Sequence, residues 1–98
     1  MSLHQAKKAA KEEAFVLVLE SGRPDVPYDK AHITITWVAK DKRRRDVDNL
    51  FASMKPYIDG LVEAELIEDD DAMHVSYTLK YERGDADDTI IEVEEKEA

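Results

Sequence analysis

The amino-acid sequence predicts an α+β fold of two layers, with two helices on one face of a small mixed β-sheet of three or more strands. Two segments, 32–38 and 73–81, alternate apolar and polar residues and are rich in β-branched or aromatic side chains, as strands are. Two others, 5–21 and 46–65, carry apolar residues at helical spacing. The predicted order is α-β-α-β-β, in one domain spanning residues 1–98.

The first helix is predicted over residues 5–21 and is ended by Gly22 and Pro24. Apolar residues at 14, 16, 17 and 19 share its broad apolar face. The short apolar run 15–19 would also fit a buried strand, but the Ala- and Lys-rich lead-in favours a helix. On this interpretation the chain begins with a helix and lacks an N-terminal strand.

The second helix is predicted over residues 46–65, where apolar residues follow three- and four-residue steps. Asp46 or Asp48 can cap its N-terminus. Pro56 is expected to kink this helix or to split it into two short ones. Strands at 73–81 and 89–94, separated by a turn around Gly84, are expected to form a hairpin, and residues 95–98 to fray.

Composition excludes several classes of protein. The chain has no cysteine, so disulfides, thiolate metal sites and cysteine catalysis are excluded. No apolar run reaches the length of a membrane span, and the polar, basic start is unlike a signal peptide, so we expect a cytoplasmic protein without membrane partners. The net charge of −9 is uneven, because residues 1–65 hold 11 basic and 11 acidic residues and residues 66–98 hold 3 and 12. The basic residues Lys40, Lys42, Arg43, Arg44 and Arg45 are clustered within six positions.

Two acidic clusters, 46–48 and 68–71, flank the second helix. If the helix and the following strand bring them together, their carboxylates would need a cation, and oxygen ligands without cysteine suit Mg²⁺ or Mn²⁺. Flanking arginines could then hold phosphates. The structural alternative is that these residues are helix caps and solvated turns, and spacing alone favours that alternative.

The middle of the chain resembles the RusA family of Holliday-junction resolvases (crossover junction endodeoxyribonucleases) of phage and prophage type. Three segments carry the resemblance: the basic run leading into Asp46-Val47-Asp48-Asn49-Leu50, then Asp59-Gly60-Leu61, then Asp69-Asp70-Asp71 before a strand. The resemblance covers roughly 40 residues closely and the flanking elements by order only. The chain departs from the family by its missing N-terminal strand and by Ala52, where some members have a catalytic lysine.

The resemblance implies a Mg²⁺-dependent endonuclease that acts on four-way DNA junctions in recombination and repair as a homodimer. It implies that Asp46, Asp48 and Asp70 bind Mg²⁺, with Mn²⁺ as an alternative, and that Asp69 assists, Asp71 being the alternative in register. Lys55 resembles the lysine of a subgroup and would act at the scissile phosphate, although a surface role fits equally well. Residues Lys42, Arg43, Arg44 and Arg45 would contact DNA.

Two other hypotheses remain open at this stage. A truncated or degenerate relative would bind branched DNA or dimerise without cleaving it, with salt-sensitive binding. A plain acidic interaction protein would bind no metal at its aspartates. Among the histidines, His74 follows the acidic turn and could lie near the site, but its position favours the solvent face of a strand.

Overall fold

The computed structural model describes residues 2–5 and 11–97. Within these ranges a four-stranded sheet combines with three helices. The elements in chain order are β1 (Ser2–Gln5), α1 (Lys11–Ser21), β2 (Ala31–Ala39), α2 (Val47–Ala52), α3 (Lys55–Glu63), β3 (Val75–Arg83) and β4 (Asp88–Glu95). The α+β class, the mixed sheet and the predicted order α-β-α-β-β are confirmed for the segment from α1 to β4.

Strand β2 lies inside the sheet because every second side chain in it is apolar and buried. Ile33 and Ile35 are fully buried and Trp37 nearly so. β2 pairs in parallel with β3 on one side and antiparallel with β4 on the other. On its other face the residues are polar or half-buried, and His32 bonds there to Ser76 and Thr78 of β3.

The predicted hairpin between the last two strands is wrong. The strand order is β1-β4-β2-β3, so β2 separates β3 from β4. The reason is burial, since β2 needs a partner on each side, whereas β3 is largely exposed along its second half and suits an edge. As a result, β3 carries one open edge of the sheet and the connection from β3 to β4 passes the end of β2.

The prediction that the chain lacks an N-terminal strand is also wrong. Residues Ser2–Gln5 form β1 and pair antiparallel with β4, with Leu3 opposite Ile91. Both of these side chains are buried, so this strand is stabilised by a distant partner in the sheet. Leu3 is the only apolar residue of these four, so the segment lacks the alternation of apolar and polar residues that identifies a strand in sequence.

Helix α1 begins at Lys11 in the described part of the chain, and the predicted helical residues 6–10 lie outside it. Ala14 and Val18 face the core, whereas Val16 and Leu19, which we predicted on the same apolar face, are exposed. The described helices include none long and apolar enough to cross a membrane.

The split of the second predicted helix is confirmed. α2 ends at Ala52 and α3 begins at Lys55, with Pro56 in the first turn of α3, where its missing N–H breaks no helical bond. α3 packs against α1 at Gly60, where an added Cβ would lie 2.6 Å from the Lys11 carbonyl oxygen and 2.7 Å from the Ala14 Cβ.

The last strand reaches into the segment 95–98, for which fraying stays a prediction. Glu95 is the last residue of β4 and lies opposite Ala31 of β2. The Lys96 N–H donates to the Lys30 carbonyl at 2.8 Å, and only Ala98 of this segment lies outside the described residues.

Candidate metal and nucleic-acid site

The charged residues singled out by the sequence lie along α2 and the edge strand β3. The basic loop, residues 40–46, follows β2 and contacts Tyr81 near the end of β3. The acidic turn, residues 68–71, precedes β3 and approaches Tyr77. Tyr77 and Tyr81 share one face of the strand, so the two charged segments are separated by roughly 13 Å along β3.

The structure brings together two of the predicted site residues, Lys55 and Asp70. The Lys55 Nζ donates to Asp70 Oδ2 at 2.6 Å, and it also lies 2.7 Å from Asp59 Oδ1, one turn along α3. The Asp70 side chain is only 22 % exposed, whereas that of Lys55 is mostly in solvent. Hydrogen bonds from Lys55 to Asp59 and then to Asp70 raise the pKa of Lys55, so its ammonium stays charged.

A pocket of about 300 Å³ surrounds the Lys55–Asp70 pair. Its walls are Phe51 and Tyr77, whose rings meet edge to face at 4.9 Å. Burial raises the pKa of Tyr77, and the Asp70 carboxylate adds to that effect. The pocket therefore combines aromatic surface with one carboxylate and one ammonium at its mouth.

Asp46 and Asp48 lie at the start of α2. Asp46 is the N-cap residue by position, but its side chain makes no capping hydrogen bond and instead lies 3.4 Å from Arg44 Nη2. Asp48 is exposed in the first turn. A second pocket, of about 410 Å³, lies beside them and is lined by Arg44, Arg45, Asp46, Asn49, Leu50 and Ser53. The Asp46 carboxylate is therefore not engaged in a capping hydrogen bond to α2.

The predicted triad Asp46, Asp48 and Asp70 is not assembled as a cluster in this conformation. In the described ranges, two sets of three residues have ligand atoms within 4.8 Å of one another, and both contain His74. One set is Asp69, Asp71 and His74, and the other is Asp29, Glu68 and His74. Acidic and histidine groups able to hold a metal ion are thus present, and they include Asp69 and its alternative in register, Asp71.

Sequence reasoning left open that His74 lies near the site, but it did not predict its contact with Asp71. This residue precedes β3 instead of lying on the solvent face of a strand, and its Nδ1 is 2.6 Å from Asp71 Oδ1. That hydrogen bond raises the pKa of His74 and lowers that of Asp71. The spacing Asp-x-x-His within the acidic turn is the signal that could have indicated the pair, because the turn folds residues three apart onto one another.

The four basic residues predicted to contact DNA are not equivalent. The Arg45 side chain is only 21 % exposed, since Nη1 donates to the Tyr81 hydroxyl at 2.8 Å and Nη2 lies 3.1 Å from Asp41. Arg44 is 91 % exposed, and Lys42 and Arg43 are also exposed. Arg45 holds the basic loop against β3 through its hydrogen bond to Tyr81, while the side chains of Lys42, Arg43 and Arg44 are exposed to solvent.

Asp41 is the acidic centre of this loop. Its carboxylate accepts the Arg43 backbone N–H at 2.9 Å and contacts the side chains of Arg45 and Arg43. These contacts, led by the backbone N–H of Arg43, lower the pKa of Asp41 to about 2. Asp41 therefore stays ionised across the neutral pH range and keeps its contacts with the arginines.

A scan of protein-family models and a search of curated proteins gave no match to this chain.

Proposed function

We propose that this protein is a metal-dependent endonuclease of the RusA type that cleaves branched DNA. The observation that carries the proposal is the 2.6 Å contact between Lys55 and Asp70, residues 15 positions apart that the resemblance assigns to one catalytic site. The basic loop on the same face of β3 adds exposed cations that suit DNA phosphates. A homodimer would present two such sites to the two strands of a four-way junction.

The donor chemistry fits Mg²⁺. Asp70 is a half-buried carboxylate beside the Lys55 ammonium, and the exposed carboxylates of Asp46 and Asp48 lie at the start of α2, the helix whose Phe51 lines the pocket with Asp70. Carboxylate oxygens suit Mg²⁺, with Mn²⁺ as an alternative, and Mn²⁺ also accepts a nitrogen ligand such as His74. When bound, the ion would supply an activated water and stabilise charge on the phosphoryl oxygens.

The residues of the chain have distinct roles in this proposal. Lys55 would neutralise charge that develops on the phosphate, because its raised pKa keeps it positive. Lys42, Arg43 and Arg44 would hold flanking phosphates, and Arg45 would keep their loop in place. Asp69 accepts the Asp70 N–H at 2.8 Å and would orient the acidic turn.

Cleavage of a labelled four-way junction tests the proposal. The wild-type chain is incubated with Mg²⁺ or Mn²⁺, beside a linear duplex of the same sequence. Asp70→Asn is the loss-of-ligand variant, and Asp25→Asn, in an exposed loop, is the matched control. We expect symmetric nicking of the junction, reduced roughly a hundredfold or more by Asp70→Asn and unchanged by Asp25→Asn.

A second candidate function follows from the separation of the acidic groups. Because Asp46, Asp48 and Asp70 do not form one cluster within 4.8 Å in the described residues, a chain that binds branched DNA without cutting it also fits. It predicts junction binding that weakens steeply with salt, together with intact DNA at every metal concentration. Junction-selective nicking by the wild type would exclude this candidate.

A further inference from the structure

His74 lies among carboxylates that come from two separate segments of the chain. Its Nδ1 is 2.6 Å from Asp71 Oδ1, and its Nε2 is 3.7 Å from Asp29 Oδ1. Asp29, Glu68 and His74 each offer one ligand atom, and these three atoms lie within 4.8 Å of one another. This set, the His74 cluster, shares no residue with the pocket around Lys55 or with helix α2.

Backbone pairing brings the two carboxylates of the His74 cluster near each other. Tyr28 and Ile67 form a parallel β-bridge. The Tyr28 N–H donates to the Leu66 carbonyl at 2.9 Å, and the Glu68 N–H donates to the Tyr28 carbonyl at 3.0 Å. Asp29 and Glu68 directly follow the two bridged residues. Their proximity is therefore fixed by the backbone and does not depend on a bound ion.

The imidazole of His74 is oriented by its surroundings. Its backbone is held on two sides, since its N–H donates to the Asp71 carbonyl at 3.1 Å and its carbonyl accepts the Ala31 N–H at 2.8 Å. In the neutral ring, Nδ1 carries the proton, because the Asp71 carboxylate can only accept a hydrogen bond. The lone pair is then on Nε2, the nitrogen nearer to Asp29. A carboxylate bonded to one ring nitrogen is the arrangement that orients metal-binding histidines.

The charge and the donor atoms of the cluster favour a transition-metal ion. Both carboxylates belong to exposed residues, and among the residues that the structure describes no lysine or arginine forms an ion pair with either of them. A divalent cation would balance the two negative charges. Imidazole nitrogen suits ions such as Zn²⁺, whereas Mg²⁺ prefers oxygen ligands in octahedral geometry.

We propose that Asp29, Glu68 and Nε2 of His74 form a binding site for a divalent transition-metal ion, with Asp71 as the residue that positions the imidazole. Ligand bonds of about 2.0–2.2 Å place neighbouring ligand atoms roughly 3.3–3.5 Å apart in a tetrahedral site, so small side-chain rotations close the cluster around the ion. The inference goes beyond the proposed nuclease and does not require it. A metal bound here links the segment before β2 to the acidic turn before β3.

Calorimetric titration of the full chain with Zn²⁺ at pH 8, without DNA, tests the site. The variant His74→Gln removes the nitrogen ligand. The matched control is His32→Gln, which removes a histidine that bonds to Ser76 and Thr78 on the sheet. We expect His74→Gln to bind Zn²⁺ on the order of a hundredfold more weakly than wild type and His32→Gln to bind as wild type does. Equal affinity of wild type and His74→Gln would mean adventitious surface binding and would overturn the proposal.

Two aspartate variants distinguish this site from the other set of possible ligands, Asp69, Asp71 and His74. Asp29→Asn removes a proposed ligand and should weaken Zn²⁺ binding roughly tenfold or more. Asp69→Asn should bind Zn²⁺ as wild type does. A loss that is larger in Asp69→Asn than in Asp29→Asn would overturn the assignment of Asp29 and Glu68 as ligands.

An NMR measurement on the unaltered chain avoids any folding defect of the variants. Two-bond proton–nitrogen spectra at pH 8 should show neutral His74 with its proton on Nδ1. Zn²⁺ should shift the His74 Nε2 signal to saturation and leave the His32 nitrogens unchanged. A His74 Nε2 signal that is unaffected by Zn²⁺ would overturn the site. These readouts need no DNA cleavage, so a wild-type chain that fails to cut junctions with Mg²⁺ would count against the proposed nuclease alone.

Discussion

Helices α2 and α3 are adjacent in sequence yet differ in how deeply their side chains are buried in the core. α3 places four residues, Tyr57, Ile58, Gly60 and Leu61, in the core, whereas α2 has no buried residue. α2 carries Asp46 and Asp48 at its start, and α3 begins with Lys55. The segment 46–65 therefore has two parts. The second part, α3, packs into the core and stabilises the fold, whereas the first part, α2, is more exposed and presents charged groups.

This difference indicates how the chain combines stability with a charged site. Residues packed between α1, α3 and the sheet determine the fold, so α2 and the loops beside it are free to present polar groups. The ion pair beside α2, between Arg44 and Asp46, is largely exposed and adds little to stability. Substitutions at the buried positions of α3 should therefore affect stability, whereas substitutions of the charged residues at the start of α2, and of Lys55 at the start of α3, should affect function.

The largest expected effect is on Leu61. This side chain is fully buried, so Leu61→Ala should lower the free energy of unfolding by about 2–5 kcal/mol. Val47 in α2 is 48 % exposed, and Val47→Ala should change the free energy of unfolding by about 0.5 kcal/mol or less. Urea unfolding of both variants measures the contrast, and equal losses would remove the distinction between the two helices.

Gly60 should be the next most sensitive position. Alanine is normally favoured over glycine inside a helix by about 1 kcal/mol, but here a Cβ would meet the Lys11 carbonyl oxygen at 2.6 Å. We expect Gly60→Ala to be destabilising by about 1–3 kcal/mol and Gly60→Val by more, because the nearest atom belongs to the backbone. Thermal unfolding of the graded pair checks this, and a stabilising Gly60→Ala would show that α1 moves easily.

Two arginines of the basic loop are expected to differ in their effects on DNA binding and on stability. Arg44 is almost fully exposed, so Arg44→Gln should reduce the salt dependence of junction binding by about one unit of slope and leave stability unchanged. Arg45→Gln should instead loosen the loop by removing its bonds to Tyr81 and Asp41. Binding isotherms at several salt concentrations, with thermal melts, separate the two effects, and identical behaviour of the two variants would contradict the assignment.

The smallest expected effect is on the pH dependence of stability at His74. Its pKa is raised from 6.5 by Asp71, so charged His74 stabilises the fold below about pH 6.5 and this stabilisation is lost as the pH rises through the folded-state pKa. The lowered pKa of Asp71 keeps its own contribution present above about pH 3.8 and removes it in stronger acid. His74→Gln should therefore lower Tm more at pH 5.5 than at pH 8.5, and an equal decrease at both would exclude the ion pair.

Much of the fold was predictable because periodic burial leaves a pattern in sequence. Alternation identified β2 and β3, and Pro56 correctly indicated the division between α2 and α3. Strand pairing was not predictable in the same way, because β1 and the separation of β3 from β4 depend on contacts between distant residues such as Leu3 and Ile91. Local patterns carry no information about which strand lies beside which.

The candidate site, like the fold, was predictable from the sequence only in part. Acidic and basic clusters were visible in the sequence, and the meeting of Lys55 with Asp70 agrees with their predicted shared role. The contacts of His74 with Asp71 and of Arg45 with Tyr81 depend on turn geometry and on side-chain direction, so sequence spacing did not reveal them.

The most direct test of the account is junction cleavage by Asp46→Asn, measured together with its thermal melt. Asp46 lies at the start of the exposed helix α2 and makes no capping hydrogen bond. We predict a wild-type Tm, within about 1 °C, and junction nicking reduced roughly a hundredfold or more, as expected for loss of a metal ligand. Wild-type cleavage with an unchanged Tm would contradict the claim that α2 carries the catalytic carboxylates.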